Sequence, residues 1–445
     1  MERIDLANGV RAVVLQVPEA PRQSILTFVP PNVAEDPADR AMWSQLVEQL
    51  MVRSTNPDAD EDDGVTVKGT VGPRSLMLES SGRPVTLLRQ ARLHAKWLEG
   101  QGLKQDTLDL AKARLRDAPF DVATQESKAR FTIAGWNQAI RHSKDEVRVL
   151  GDPQQASLED ATTFLREQIP IGPEVLVATV GPIAPEYMKK FLQDTIGTIP
   201  VRKPVPPAQT TLRRSEPNEE VRVKWDMPTR HLVLWWPLSK EQMEDRANLE
   251  SAIAVMKTAI MLSQPAQGGG RPVPVLEGPL PPAIDGSAGT LLVDIPYGSG
   301  TAEPEDIRKE AEAAIRLVID PQFTSTPWRP RLILPLLGMS PPPYTAQQRG
   351  SLKEFGNLLE KQWMQTTMQW EYDWGRSREE MASAIDATTI ESVQRLVRPL
   401  FDIPPRLLVL EQMAAPDQGS TAPQTPPAPA SPAGNGSGQP VGTNR

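Results

Sequence analysis

The order of structural signals restarts halfway along the chain, and that restart limits the fold more than any other feature of its 445 residues. Residues 156–181, "ASLEDATTFLREQIPIGPEVLVATVG", read as a polar cap, an amphipathic helix, a proline-bearing turn and an apolar strand. Residues 388–412, "TTIESVQRLVRPLFDIPPRLLVLEQ", give the same four signals in the same order. The openings correspond too. "VRAVVLQV" and "SILTFV" read as strands near the N-terminus, and "VRVKWDM" and "HLVLWWPL" mirror them beyond residue 220. A helix over Trp43–Arg53, with Met42, Leu46, Leu50 and Met51 on one face, has its counterpart in "ANLESAIAVMKTAIML". The chain is therefore read as α+β and duplicated in tandem: a first domain over 1–200, a linker over 201–220 and a homologous domain over 221–412.

Local signals fill in this plan. Short strands are expected around Val65–Val67 and Ser75–Glu79, and helices over "VTLLRQARLHAKWLEG", stopped by Gly100, "TLDLAKARLRDA" and "ESKARFTIAGWNQAIR". Ser157, with Asp160 three residues on, opens a helix as a capping box does. Proline, 46 residues in all, gathers where the plan needs breaks. "VRKPVPPAQTTLRRSEPNEE" is rich in proline and charge, as linkers are. From Met413 onward large apolar side chains are almost absent, so residues 413–445 read as a disordered tail that cannot offset its ordering entropy.

Composition removes several chemistries. With no cysteine, there are no disulfides, thiolate metal sites or cysteine nucleophiles. His94, His142 and His231 lie far apart, so no helix can present two histidines to a metal, and no serine–histidine–acid set is suggested. A net charge of −8 argues against nucleic acid as the main partner. No apolar run is long enough to span a membrane. No signal peptide is visible before "MERIDLANGV", which gives a cytoplasmic expectation, or a periplasmic or exported one if a leader was trimmed.

Three segments invite sharper readings and fit plainer ones. "DADEDDG" (58–64) has its glycine one place late for a calcium loop, and Gly69 stands where that loop needs its glutamate. "QGGGR" (267–271) lacks the lysine and the preceding strand of a phosphate loop. In residues 351–374, Leu352, Phe355, Leu359, Trp363, Trp370 and Trp374 recur at helical spacing and read as core, with a partner-facing stripe as the alternative. Trp235 and Trp236 should point to opposite faces of one strand, so at least one is expected to touch something beyond its own sheet.

Taken together, "LANGVRAVVLQVPEAPRQSILTFV", a helix centred on "QLVEQL", and "GDPQQASLEDATTFL" leading to "VLVATVGPIAPEYMKKFLQDTIGTIP" resemble the pitrilysin/insulinase family of zinc metallopeptidases. The mitochondrial processing peptidase and the core subunits of the bc1 complex belong to that group. The similarity covers residues 1–200 well and 221–412 more weakly. It implies two homologous α+β domains, each a mixed, largely antiparallel sheet packed with helices, forming half of a clam-shell around a peptide chamber. Active members carry an inverted H-x-x-E-H helix whose histidines bind zinc and whose glutamate is the base. Here Gln45 and Gln49 fall on the ligand positions and Glu48 on the base. The third ligand falls near Asp117, with Glu126 as the other candidate, and Pro119 disturbs the helix that would aim it. Gln45, Glu48 and Gln49 also fit the solvated face of an ordinary amphipathic helix.

A second family feature, an arginine and a later tyrosine that grip substrate, falls in Gln264–Gly289. That stretch holds Arg271 but no tyrosine before Tyr297, and its prolines at 272, 274, 279 and 281 exclude the usual helix. The resemblance thus implies a pseudo-peptidase with no bound zinc or other cofactor. Its expected partner is an active zinc-bearing homologue in a heterodimer, or further copies of itself, with peptides as possible ligands. The alternative is a scaffold subunit of a larger complex with no peptide substrate, and a third reading is a hydrolase with an altered metal site.

Overall fold

The computed structural model describes residues 1–30, 43–55, 64–71, 75–117, 139–140, 146–147, 151–203, 216, 219–225, 230–263, 275–280, 286–297, 304–316, 368 and 378–412. In the first half these form β1 (Glu2–Asp5), β2 (Arg11–Gln16), β3 (Gln23–Val29), α1 (Trp43–Thr55), β4 (Val65–Val71), β5 (Leu76–Gly82), α2 (Leu87–Glu99) and α3 (Gln105–Asp117). There follow β6 (Glu146–Val147), α4 (Gly151–Gln155), α5 (Leu158–Gln168), β7 (Leu176–Gly181) and α6 (Pro185–Thr195). The second half holds β8 (Glu220–Trp225), β9 (Arg230–Leu238), α7 (Lys240–Glu244), α8 (Arg246–Ser263), β10 (Val275–Leu280), β11 (Gly289–Tyr297), α9 (Pro304–Arg316), α10 (Arg378–Asp386), α11 (Ile390–Phe401) and β12 (Arg406–Gln412).

Strand order carries the duplication. The first sheet runs β1-β2-β7-β3-β5-β4 and the second β6-β8-β12-β9-β11-β10. In both, the last strand enters the middle: β7 lies parallel to β2 and antiparallel to β3, and β12 parallel to β8 and antiparallel to β9. The remaining two strands of each then continue antiparallel to the edge. Only the far edge differs. β1 lies antiparallel on β2, whereas β6, from the first half of the chain, lies parallel on β8. A two-residue strand so far from its partner has no sequence signature.

The cap signals are realised. Ser157 and Asp160 close a reciprocal capping box, and Thr389 with Ser392 does the same at the equivalent helix of the second half. Gly100 stops α2 with φ 66°, the left-handed turn that glycine adopts without a Cβ penalty. β3, β5 and β7 are buried at every residue, because both faces of the first sheet are covered. One face packs Ile25, Leu76 and Leu78 against Leu46, Leu50, Trp97 and Phe164 of the helices. The other packs Leu26, Phe28, Met77 and Val180 together with Met368. Trp235 and Trp236 do take opposite faces of β9. Trp236 stays in the second half's helix-side core, edge-on to Phe401 at 5.3 Å, while Trp235 joins the cluster that continues into the first half.

The expected helix over 126–141, the glycine loop, the tryptophan-bearing stretch 351–374 and the tail 413–445 fall almost wholly outside the described residues. Among the described residues, no helix is long and apolar enough to cross a membrane.

Candidate functional site

Helix α1 is held on several sides. It packs against α3, α5 and strand β4, and its Trp43 meets Phe164 of α5 at 5.5 Å. The indole N–H of Trp97 in α2 donates to Met51 O at 3.0 Å, and Ser54 and Thr107 join α1 to α3 through their hydroxyls at 2.8 Å. With the helix fixed this way, its polar positions 45, 48 and 49, at i, i+3 and i+4, share one face.

That face is largely buried, with Gln49 at its half-buried margin. Gln45 is 8% exposed and Glu48 3%, so the reading of an ordinary water-facing stripe is corrected. The cause is the depth at which α1 sits on β4. Gly69, in mid-strand, faces Glu48 so closely that a Cβ there would overlap Glu48 Oε1 and lie 2.6 Å from its Cδ. Glycine is therefore required for the carboxylate to lie flat on the strand. Gly69 was missed as part of this site, although a glycine inside "VTVKGTV" signals close approach of another group.

The carboxylate accepts a hydrogen bond from its helix neighbour. Gln49 Nε2 donates to Glu48 Oε2 at 2.7 Å. The opposite amide orientation would set two oxygens face to face, so the N–H is committed to the carboxylate and the carbonyl turns away. Gln45 Oε1 is buried without a hydrogen-bond partner among the described residues. Asp117 is the last residue of α3, and its side chain lies outside the description; Glu126 and Arg271 lie outside it altogether. Within the stretch that the resemblance assigns to the substrate clamp, Val275–Leu280 is a strand, and Tyr297 ends the strand after it.

These residues do not fit a zinc ion. Zinc favours imidazole or thiolate, and an amide offers one neutral oxygen. Here one of the two amides already donates to the only carboxylate on that face. Among the described residues no three Asp, Glu or His side chains converge as a metal site.

His94 forms a second buried polar cluster. Its Nδ1 lies 2.7 Å from Thr27 Oγ1 and its Nε2 2.9 Å from Ser80 Oγ, with Trp97 edge-on at 4.6 Å. Ser80 gives its single hydroxyl proton to Gln90 Oε1 at 3.2 Å. It must then accept from His94 Nε2–H, which leaves Nδ1 bare to accept from Thr27. Burial lowers the His94 pKa to about 3, so the imidazole stays neutral. A serine–histidine pair with no surface access, a poor base and a hydroxyl in place of the acid is a structural network. In the second half, His231 Nδ1 meets Asp294 Oδ1 at 2.7 Å, also buried, with Trp225 edge-on at 4.7 Å.

No sequence-family profile matches the chain, and no curated protein matches it by sequence. Solved structures do match. A protease from Helicobacter pylori superposes with TM-score 0.59 at 11% identity, over 92% of this chain and 99% of that one. An inactive M16 peptidase domain from Pseudomonas fluorescens gives TM-score 0.57 at 10% identity, over 93% and 98%. A chain of complex III from Candida albicans gives 0.59 at 13%, over 92% and 95%. The chain spans less than half of two longer proteases, 45% of the ferredoxin protease FusC and 46% of PqqL from Escherichia coli. At these identities the likeness is one of fold: the chain has the fold of the M16, pitrilysin/insulinase-like peptidases, a group of structures that includes inactive domains.

Proposed function

We propose that this chain is a non-catalytic M16-like subunit that pairs with a zinc-bearing homologue and helps to build its peptide-binding chamber. The observation that carries the reading is the 2.7 Å bond from the Gln49 amide to the Glu48 carboxylate. At the position where an active member holds a metal ligand, this chain has an amide that quenches the base. Without a metal to acidify a water, Glu48 has no nucleophile to generate. Two further points support the assignment. An inactive M16 domain has this fold over nearly the whole chain, and the longer proteases contain more than twice the length matched here.

Gentle purification of the full chain from its source, followed by metal analysis and mass spectrometry, tests this. The expected result is a stable companion with an intact His-x-x-Glu-His helix, and zinc that stays with the companion when the two are separated. One zinc per chain on this subunit alone overturns the proposal. A second reading, a scaffold subunit without peptide substrate, is favoured by the likeness to the complex III chain. It predicts recovery in a large assembly whose members carry no such helix.

A further inference from the structure

Residues 157–177 and 389–409 align without a gap, setting Ile169 against Phe401, Pro170 against Asp402 and Ile171 against Ile403. In the first half, the chain itself fills the niche at this turn. Arg202 forms an antiparallel bridge with Ile171, donating its N–H to Ile171 O at 3.1 Å and accepting from Ile171 N at 2.7 Å. Its guanidinium donates from Nε to Ile169 O at 2.8 Å and from Nη2 to Leu98 O at 2.7 Å. These carbonyls stand at the C-terminal ends of α5 and α2, where unsatisfied acceptors and the helix dipoles favour a cation. Under this strap Ile171 is 1% exposed.

In the second half the same place is open. A cavity of about 140 Å³ is lined by Trp236, Arg308, Glu312, Arg316 and the turn from Phe401 to Pro405. Helix α9, 13 residues long like α2, ends at it with Arg316. Ile403 is 47% exposed. Its backbone N–H and C=O meet no partner among the described residues, and neither does Phe401 O. Pro404 and Pro405, which follow Phe401 at the distance where a helix turn would close, have no N–H to give it. Trp236 Nε1 is likewise buried and unpartnered there. Among the described residues the second half has no counterpart of α6 or of the strap that follows it.

We propose that this niche receives an extended segment of a partner protein presenting an arginine, seated as Arg202 is seated in the first half. The bridge to Ile403 would add one short strand, and the guanidinium fork would satisfy Phe401 O and the end of α9. Asp402, where the first half has Pro170, adds a carboxylate beside that position. Arg308 is already tied to Glu312 at 2.8 Å. Arg316 is a like charge on the rim, and the first half tolerates one as well, since burial first and Arg166 second lower the Arg202 pKa. This inference does not depend on the pairing proposed above.

The test uses the first half's own strap as the probe. A capped, fluorescent Thr-Ile-Pro-Val-Arg-Lys peptide, residues 198–203, is titrated with the full chain by anisotropy. Saturable one-to-one binding is expected. Changing the probe's arginine to alanine, or Ile403→Pro in the protein, should each weaken it by roughly tenfold or more. Asp402→Lys, an exposed change that leaves the backbone alone, should weaken it by about threefold and serves if Ile403→Pro lowers the melting point. No saturation up to millimolar protein overturns the proposal. So does binding that none of the changes alters, which would place the peptide elsewhere, such as the first half's own niche. Self-association of the probe-free chain that Ile403→Pro abolishes would assign the niche to a second copy and overturn the partner reading.

Discussion

Helices α1 and α8 occupy the same place in their halves, and each buries a glutamate, but they compensate it differently. In α8, Arg246 Nη2 lies 2.7 Å from Glu250 Oε1 one turn along the helix, with both side chains almost fully buried. Charge meets charge within one element. In α1, Glu48 rests on Gly69 and accepts from the uncharged Gln49, while Gln45 Oε1 has no hydrogen-bond partner among the described residues. An unsatisfied buried amide oxygen costs stability, so Gln45 Oε1 contributes nothing evident to folding. The α1 face sets a carboxylate between two amides, the arrangement on which the proposed non-catalytic role rests.

The largest test of this contrast lies in α8. Glu250→Gln leaves Arg246 buried beside an amide, and the loss of a buried partner charge should cost about 3–5 kcal/mol in chemical denaturation. A loss under about 1 kcal/mol would mean the pair is not compensating at all. Next comes Arg202→Ala in the first half. It removes two hydrogen bonds from a charged group, each contributing about 1.5–3 kcal/mol, and should lower stability by roughly 3 kcal/mol. The second half, whose niche holds no such side chain among the described residues, should show no comparable loss on Ile403→Ala.

His94 offers a pH test confined to the first half. Its folded pKa of about 3 lies below its ordinary value of 6.5 because burial penalises the imidazolium. Above pH 6.5 both folded and unfolded states keep it neutral and stability is full. Between pH 6.5 and 3 the unfolded chain takes up the proton and the folded one resists, so stability falls by about 1.4 kcal/mol per pH unit. By pH 5 the loss should be about 2 kcal/mol in denaturant titrations. His94→Gln should flatten that slope, whatever it does to stability at neutral pH.

Much of the fold could be read from local residues. Ser157 with Asp160 and Gly100 mark helix ends because capping chemistry is local. The repeated order of elements foretold two sheets of one topology. What stayed hidden depends on packing between distant segments. Nothing in "VEQ" says whether Glu48 is wet or buried; that is decided by Gly69 and by how deeply α3, α5 and β4 enclose α1. Arg202 sits at the start of a stretch that reads as linker, and its bridge to Ile171 depends on where α6 returns the chain. The Thr27–His94–Ser80 network joins two strands and a helix and has no sequence spacing to announce it.

The smallest predicted effect is the most direct comparison of the two helices. Glu48→Gln repeats in α1 the change proposed in α8. A glutamine at 48 keeps the shape over Gly69 and can accept the same N–H from Gln49 through its own carbonyl oxygen. It also exchanges a buried carboxylate for a neutral amide of nearly the same size. Stability should therefore shift by no more than about 1 kcal/mol, a replacement of one neutral-donor hydrogen bond by another. Under the proposed pairing, any peptidase activity recovered with the purified complex should be unchanged by this substitution. A cost equal to that of Glu250→Gln would mean that a cation is bound at Glu48, and loss of activity would make this carboxylate a working base. Either outcome would erase the distinction between α1 and α8.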